Sequence, residues 1–498
     1  MSAKMSDIDT HDRAFHVETN GINIIPEGER HGKPRELFNV WLAAELSFSA
    51  IIIGELFTAM GLNILESLAV SAVCVGSFVI LGWASLPGAK TGTATLTITR
   101  AIFGIKGNRL PAAFSWINNV GWEAVNMVLT VYALLALFRV LSLPSAGILT
   151  TLMAIIVGVV LTFSIPILGH ETVVVMQRVL AYILGALSLM LIVVILPHVH
   201  WNFQPSPSAL WASGPLTTMI FALSIGLMST VFSWTNYASD YTRYMPSHNA
   251  GSAIVRYTWL GSGLAAGIEL VLGVLLGSFV SPKAFAANPV GAIMAVLPTW
   301  YVVPFLIVVI VGLVSANYLN SYSSGMSFLA IGVRMKRHVS VVFDSVIAVA
   351  ITLYALFIAQ GFLAFFQNFL GLSILVIGPW TGMFLADFVT RKGHYDRLAL
   401  VDTTSSGRYW YSKGTNWTAI TILLLSSFLA LWTVDSTLWE SPVSKALLGG
   451  MDLSAFVGPL AGFVLYKGFV ARSTSVSVLP DTDDAAMGIE ISRVGEFD

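Results

Sequence analysis

The sequence predicts an all-α membrane protein of twelve transmembrane helices, and three observations carry that prediction. Only 11% of the 498 residues are charged and 56% are hydrophobic. A soluble domain carries about 25% charged residues, so most of this surface must face lipid. Twelve stretches supply the roughly 20 mostly apolar residues that a span needs. Once those twelve are drawn with the amino terminus inside, only Arg139, Lys283 and Lys445 of the 26 Lys and Arg residues fall outside, as orientation by positive charge requires. Both ends are therefore expected in the cytoplasm, in a plasma membrane of bacterial inner-membrane type.

Taken in order, span 1 runs Phe38–Leu62 and holds Glu45, Ser47, Ser49 and Glu55. Span 2 is Ser67–Leu86. The stretch Thr91–Gly104, with a threonine at every second position from 91 to 99, is too polar to cross and reads as an interfacial or re-entrant segment. Span 3, Pro111–Leu137, holds Trp116, Asn118, Asn119, Trp122, Glu123 and Asn126. Spans 4 and 5, Gly147–Ile165 and Thr172–Ile195, are nearly bare of polar residues. Span 6, Leu216–Ala238, ends in the run Ser233-Trp234-Thr235-Asn236-Tyr237. Span 7 is Ile254–Phe279. Span 8, Val303–Leu329, holds Ser315, Asn317, Asn320, Ser321, Ser323 and Ser324. Spans 9 to 12 are Ser340–Ile358, Phe362–Phe388, Trp417–Leu431 and Leu453–Val470.

The flanks, residues 1–34 and 473–498, are polar without apolar periodicity and are expected to be disordered cytoplasmic tails. No cleavable leader is expected, so the first span would direct insertion. The domain between them, residues 35–472, divides by its polar load. Spans 1, 3, 6 and 8 carry it, and two five-helix units would make 1 equivalent to 6 and 3 to 8. Because five is odd, the second unit would be inverted. The units are about 37–196 and 216–388, with two extra helices at about 416–470.

Several function classes drop out. A net charge of −1 leaves no basic footprint for nucleic acid. Cys74 is the only cysteine, which rules out an intrachain disulfide or a cysteine metal site. No nucleophile–base arrangement or phosphate loop is present, so an enzyme has no support, and no cofactor or protein partner is implied. His198 and His200 near a span end are weak grounds for a metal.

Polar side chains within spans face a cavity or a partner. Trp122 and Asn126 are four apart and share a helix face, as do Asn317, Asn320 and Ser324. An indole with a carboxamide one turn away suits a flat heterocycle, stacked on its face and hydrogen-bonded at its edge. Trp234 supplies a second wall, in a run poor in helix formers where a local break is expected. Ser47 joins this group. Trp83, Trp211, Trp300 and Trp432, near span ends, read as interfacial anchors. Asp240 with Arg243, and Asp387 with Arg391, sit at cytoplasmic ends and read as gates or anchors.

These motifs resemble the nucleobase:cation symporter-1 family, most closely its purine–cytosine permease branch. Gly121-Trp122-Glu123-Ala124-Val125-Asn126 resembles the family's Gly-Trp-x-x-x-Asn/Gln element. Trp234-Thr235-Asn236-Tyr237-Ala238-Ser239-Asp240-Tyr241 is similar to its Trp-x-x-Tyr-Ala-Ser-Asp-Tyr signature. Asn320-Ser321-Tyr322-Ser323, Gly378-Pro379-Trp380 with Ala386-Asp387-Phe388, and Gly414-Thr415-Asn416-Trp417 resemble its later elements. The resemblance implies a leucine-transporter-like fold of five plus five inverted helices with two extra. It implies import of a purine or pyrimidine base such as cytosine, coupled to H⁺ or Na⁺, with Trp122 and Trp234 stacking and Asn126 and Asn320 hydrogen-bonding. Allantoin, a hydantoin or a vitamin precursor is the near alternative, and an amino acid the distant one. Three departures favour the proton over sodium: Glu45 replaces the family's usual Asn, Val314 replaces a hydroxyl ligand beside Ser315, and Gln177 replaces a glutamate. Glu45 and Ser315 are the ion-coupling candidates.

Overall fold

In the computed structural model, residues 12–359, 362–436 and 438–469 are described. Among the described residues, nine helices are long and apolar enough to cross a membrane, from Ile64–Thr91 to Phe365–Thr390. A tenth crossing is the pair Glu36–Glu45 and Phe48–Ala59, bent by 56°, and Trp417–Leu431 and Ser454–Phe469 are shorter apolar helices. They follow the twelve stretches in order. The C-terminal tail expected at 473–498 lies outside the described residues.

The packing has the inverted symmetry that the polar distribution predicts. Span 1 packs on span 7 (Gly251–Gly277) and span 6 (Pro215–Thr235) on span 2. Span 3 (Arg109–Val140) runs along span 8 (Thr299–Ala330), and spans 4 and 9 close that group. Small residues permit the closest crossing. A Cβ at Gly54 would stand 2.1 Å from the Leu270 carbonyl oxygen, and one at Gly273 would stand 2.1 Å from that of Ile51.

Spans 1 and 6 both depart from a regular α-helix, span 1 by a break and span 6 by a widened turn. In span 1 the helix stops at Glu45 and Ser47 turns to extended backbone (φ −122°, ψ 137°) before Phe48 restarts it. In span 6 the chain widens into a π-type turn over Met228–Phe232, then continues through Ser233–Thr235 and a tight turn at Ala238–Tyr241. Hydroxyls take up the carbonyls that such turns loosen. Thr230 Oγ1 donates to the Gly226 carbonyl at 2.6 Å and Thr235 Oγ1 to that of Phe232 at 3.1 Å.

One end of the bundle carries the basic loops, and the amino-terminal segment is folded against it. This corrects the expectation of a free tail for residues 12–34. Glu18, 4% exposed, forms ion pairs with Arg243 of the span 6 extension and Arg337 of span 9, and accepts from the Tyr244 hydroxyl at 2.7 Å. Ile24 and Ile25 are buried beside it, and the Ile25 N–H donates to the Gly92 carbonyl at 2.8 Å. The segment lacks periodicity because its few anchors are held singly, so composition alone could not reveal the docking. Thr91–Gly104 forms two short buried helices at the same end, Thr95–Ile98 and Arg100–Phe103.

Candidate substrate site

Between the bend of span 1 and the widened turn of span 6 lies a small cavity. Span 1 lines it with Glu45, Ser47 and Ser49, span 3 with Trp122 and Asn126, span 6 with Trp234 and Tyr237, and span 8 with Asn320. Residues from four separate spans of the sequence thus meet at one place.

The two indoles are held by their edges. Trp122 makes T-shaped contacts with Phe366 and Phe369, at 5.6 and 5.5 Å between ring centroids. Trp234 is gripped in the same way by Trp41 and Tyr237, at 5.6 and 5.7 Å. Such edge contacts fix each ring plane.

The carboxamides are set by one another. Asn126 Oδ1 accepts from Ser49 Oγ at 2.7 Å, and its Nδ2 donates to Asn317 Oδ1 at 2.9 Å. Asn320 Nδ2 donates to the same Asn317 oxygen at 3.1 Å, and its Oδ1 accepts from the Tyr237 hydroxyl at 2.6 Å. An amide offers two N–H groups and two lone pairs, so Asn126 and Asn320 each retain one donor and one acceptor. Two further cavity-lining groups have a buried polar atom with no protein partner: Trp122 Nε1 and Glu45 Oε1.

Other predicted site residues sit elsewhere. Asn317 does not line the cavity; it stands behind it, its Nδ2 donating to the Glu123 carbonyl at 3.1 Å, and orients the other two asparagines. Ser315 is also outside. Its hydroxyl lies 2.6 Å from Gln177 Oε1 and 3.0 Å from the Ala43 carbonyl, while Gln177 Nε2 donates to the Ser315 carbonyl at 2.8 Å. Asp240 and Arg243 are not a pair. Asp240 Oδ1 accepts from the Thr95 N–H and hydroxyl, both at 2.8 Å, and Arg243 pairs with Glu18 and donates to the Tyr322 hydroxyl at 2.9 Å. Asp387 and Arg391 do pair, at 2.7 Å. Glu18 and Tyr237 were missed as functional positions. Tyr237 lies in a run already singled out for its polarity, whereas Glu18 carries no local signal.

Outside the spans, His31 and Glu171 make a partly exposed contact at 3.4 Å beside Asp12. The hydrogen bond to the Glu171 carboxylate raises the His31 pKa to about 9.

A sequence profile described as a permease for cytosine/purines, uracil, thiamine and allantoin matches residues 24–458. The chain belongs to this family. It is a multi-pass membrane transporter of nucleobase-like heterocycles, not an enzyme. Among similar family members is the Bacillus subtilis protein named "Putative purine-cytosine permease YxlA", 27% identical over 463 residues, covering 90% of this chain and 95% of that one. The vitamin B6 transporter TPN1 of Saccharomyces cerevisiae is 26% identical, with 74% and 64% covered. The cytosine permease of Escherichia coli K12 is 23% identical, with 78% and 80% covered. In fold, the chain matches the nucleobase-cation-symport-1 transporter Mhp1 in its closed, bromovinylhydantoin-bound conformation. The TM-score is 0.72 at 19% identity, over 93% of this chain and 97% of that one. The inward-facing form of Mhp1 gives 0.66 at 18% identity.

Proposed function

We propose that this family member imports a purine or pyrimidine base, such as cytosine, together with a proton. The observation that carries the reading is the asparagine pair: each amide has one donor and one acceptor left, beside two edge-held indoles. An amide-like ring edge presents the complementary alternation of acceptor and donor, and the ring face stacks. Base–aromatic stacking is worth about 1–3 kcal/mol per base, which makes Trp122 and Trp234 the main source of affinity and the asparagines the source of selectivity.

Proton coupling is supported by two features. Glu45 lines the cavity with an unpartnered carboxylate oxygen, where a proton and the substrate would be felt together. Against sodium, Val314 has no oxygen side chain, and the Ser315 carbonyl and hydroxyl are both engaged by Gln177. The charge asymmetry of the loops would place the basic end and both termini in the cytoplasm. Substrate would enter from the opposite side, and rocking of one repeat against the other would release it inward.

A second reading has its own support. The Glu45 oxygen would accept from a ring hydroxyl or amino group, which suits a vitamin-B6-type pyridine, and a vitamin B6 transporter is among the similar proteins. Uptake into proteoliposomes, measured for labelled cytosine, adenine, hypoxanthine, uracil, allantoin, a hydantoin and pyridoxine with imposed pH or sodium gradients, separates the readings. Cytosine or purine uptake that follows the pH gradient is expected. Uptake that needs sodium at constant pH removes the proton, and uptake of pyridoxine alone removes the nucleobase.

A further inference from the structure

Buried polar atoms without a protein partner gather below the cavity. Both carboxyl oxygens of Glu123 are such atoms, as are both amide atoms of Asn118, Asn119 Nδ2 and Asn236 Oδ1, while Ser324 and Asp344 lie within reach of each other. Glu123, fully buried, lies one turn after Asn119 and three residues before Asn126 on span 3. Those neighbours fix the direction of that face. Asn119 Oδ1 accepts from Asn236 Nδ2 of span 6 at 2.9 Å, and Asn126 bonds to spans 1 and 8. At the upper end, Asn317 links the Glu123 main chain to the asparagines of the cavity. Towards the basic end, Asp344 of span 9 accepts from Trp116 Nε1 of span 3 at 2.6 Å and is within reach of Ser324 of span 8.

An unpartnered buried polar group costs about 1–3 kcal/mol, and native proteins keep few of them. A run of this kind between four helices is satisfied by water with several polar partners. The charges decide what such a run can do. The ionisable group acting on Glu123 is Asp344, a like charge, and Tyr237 of span 6 lies near enough to feel both Glu45 and Glu123. Asp344 meets Trp116 and Ser324. Arg337, on the same helix as Asp344, is taken by Glu18 and by the carbonyls of Pro166 and Ile167. Among the described residues no cation is set against either carboxyl. Intramembrane carboxyls mark substrate or ion pathways, proton relays among them.

Resting on the proton-coupled reading above, we propose that Glu123 and Asp344 form a hydrated relay. It carries the symported proton from the cavity to the basic end, apart from the substrate's path. The proton passes from the Glu45 carboxyl to Glu123, then to Asp344, then to water. At each step one O–H bond breaks as another forms, and one positive charge is delivered with no change in any other bond.

The test compares two modes of transport in proteoliposomes. Exchange of substrate across the membrane needs no proton release, whereas net uptake does. In Glu123→Gln and in Asp344→Asn, exchange should stay within about twofold of the parent protein while pH-driven net uptake falls about tenfold or more. Unchanged net uptake in both variants, or exchange and net uptake falling in parallel in both, overturns the relay. Asp344→Asn carries the expectation by itself if Glu123→Gln does not fold. Should the parent protein exchange none of the heterocycles, the substrate reading fails, and infrared spectroscopy of the unliganded protein still decides the relay. A carboxylic-acid C=O band that shifts in D₂O and is missing in Glu123→Gln supports it; a parent protein without that band overturns it.

Discussion

Replacing Glu18 with Gln removes the negative charge from a carboxylate shared by two buried guanidiniums, those of Arg243 and Arg337. All three side chains are buried. The amide would retain an acceptor for the Tyr244 hydroxyl, but both cations would lose their ion-pair partner. Breaking a buried pair by removing one partner costs about 3–5 kcal/mol, because the other charge is left buried and uncompensated. A tenfold change corresponds to about 1.4 kcal/mol, so the docked state of residues 12–34 should lose about two to three and a half orders of magnitude in population relative to its open form. The segment's backbone bonds report this directly. Glu18 N–H donates to the Leu168 carbonyl at 2.7 Å, Ile25 to Gly92 at 2.8 Å, and His31 to Tyr244 at 2.9 Å. Hydrogen exchange of peptides covering these amides should accelerate by that factor in Glu18→Gln while spans 3 and 8 exchange as before. Unaltered protection of the segment would refute the reasoning, since it would mean that the ion pairs contribute nothing to docking.

Three further outcomes are expected. Trp122→Ala should weaken substrate binding by about 1–3 kcal/mol, read as a roughly 5- to 150-fold rise in Kd by calorimetry, with Trp122→Phe recovering most of it; equal affinity in Trp122→Ala would remove the ring from the site. Gly273→Ala drives a methyl into the Ile51 carbonyl across the span 1–span 7 crossing and should cost at least about 1–3 kcal/mol, visible as a lower melting temperature in detergent, whereas an unchanged melt would mean that the crossing is not tight. The raised His31 pKa makes its contact with Glu171 stabilising in full below the ordinary histidine value of 6.5, and that contribution is lost as pH rises through about 9. Limited proteolysis of the amino-terminal segment should therefore quicken through that upper pH range, and His31→Gln should remove the step.

The family's ordered motifs were legible in the chain because stacking and amide recognition require particular side chains at helical spacing. Trp122 and Asn126 were readable as partners from their separation of four, and both line the cavity. Asn317, three before Asn320, was readable as a neighbour but not as a positioning residue. Which of two amides on one stripe faces the cavity depends on the rotation of span 8 against span 3. Ser315 illustrates the same limit: its bond to Gln177 joins residues 138 apart.

By itself, the sequence determined that the chain is a bundle of membrane-crossing helices, where their apolar stretches lie and which of them carry polar groups. Each follows from local composition against a slab of hydrocarbon, where about 20 apolar residues are needed and every backbone group must find a partner. Tertiary structure alone decided which polar groups meet. Glu18 reaches Arg243 across 225 positions of chain, and Asp344 accepts from Trp116 across 228. Contacts of that kind depend on how helices rotate and slide against one another, a choice made by the packing of whole faces that no local pattern encodes.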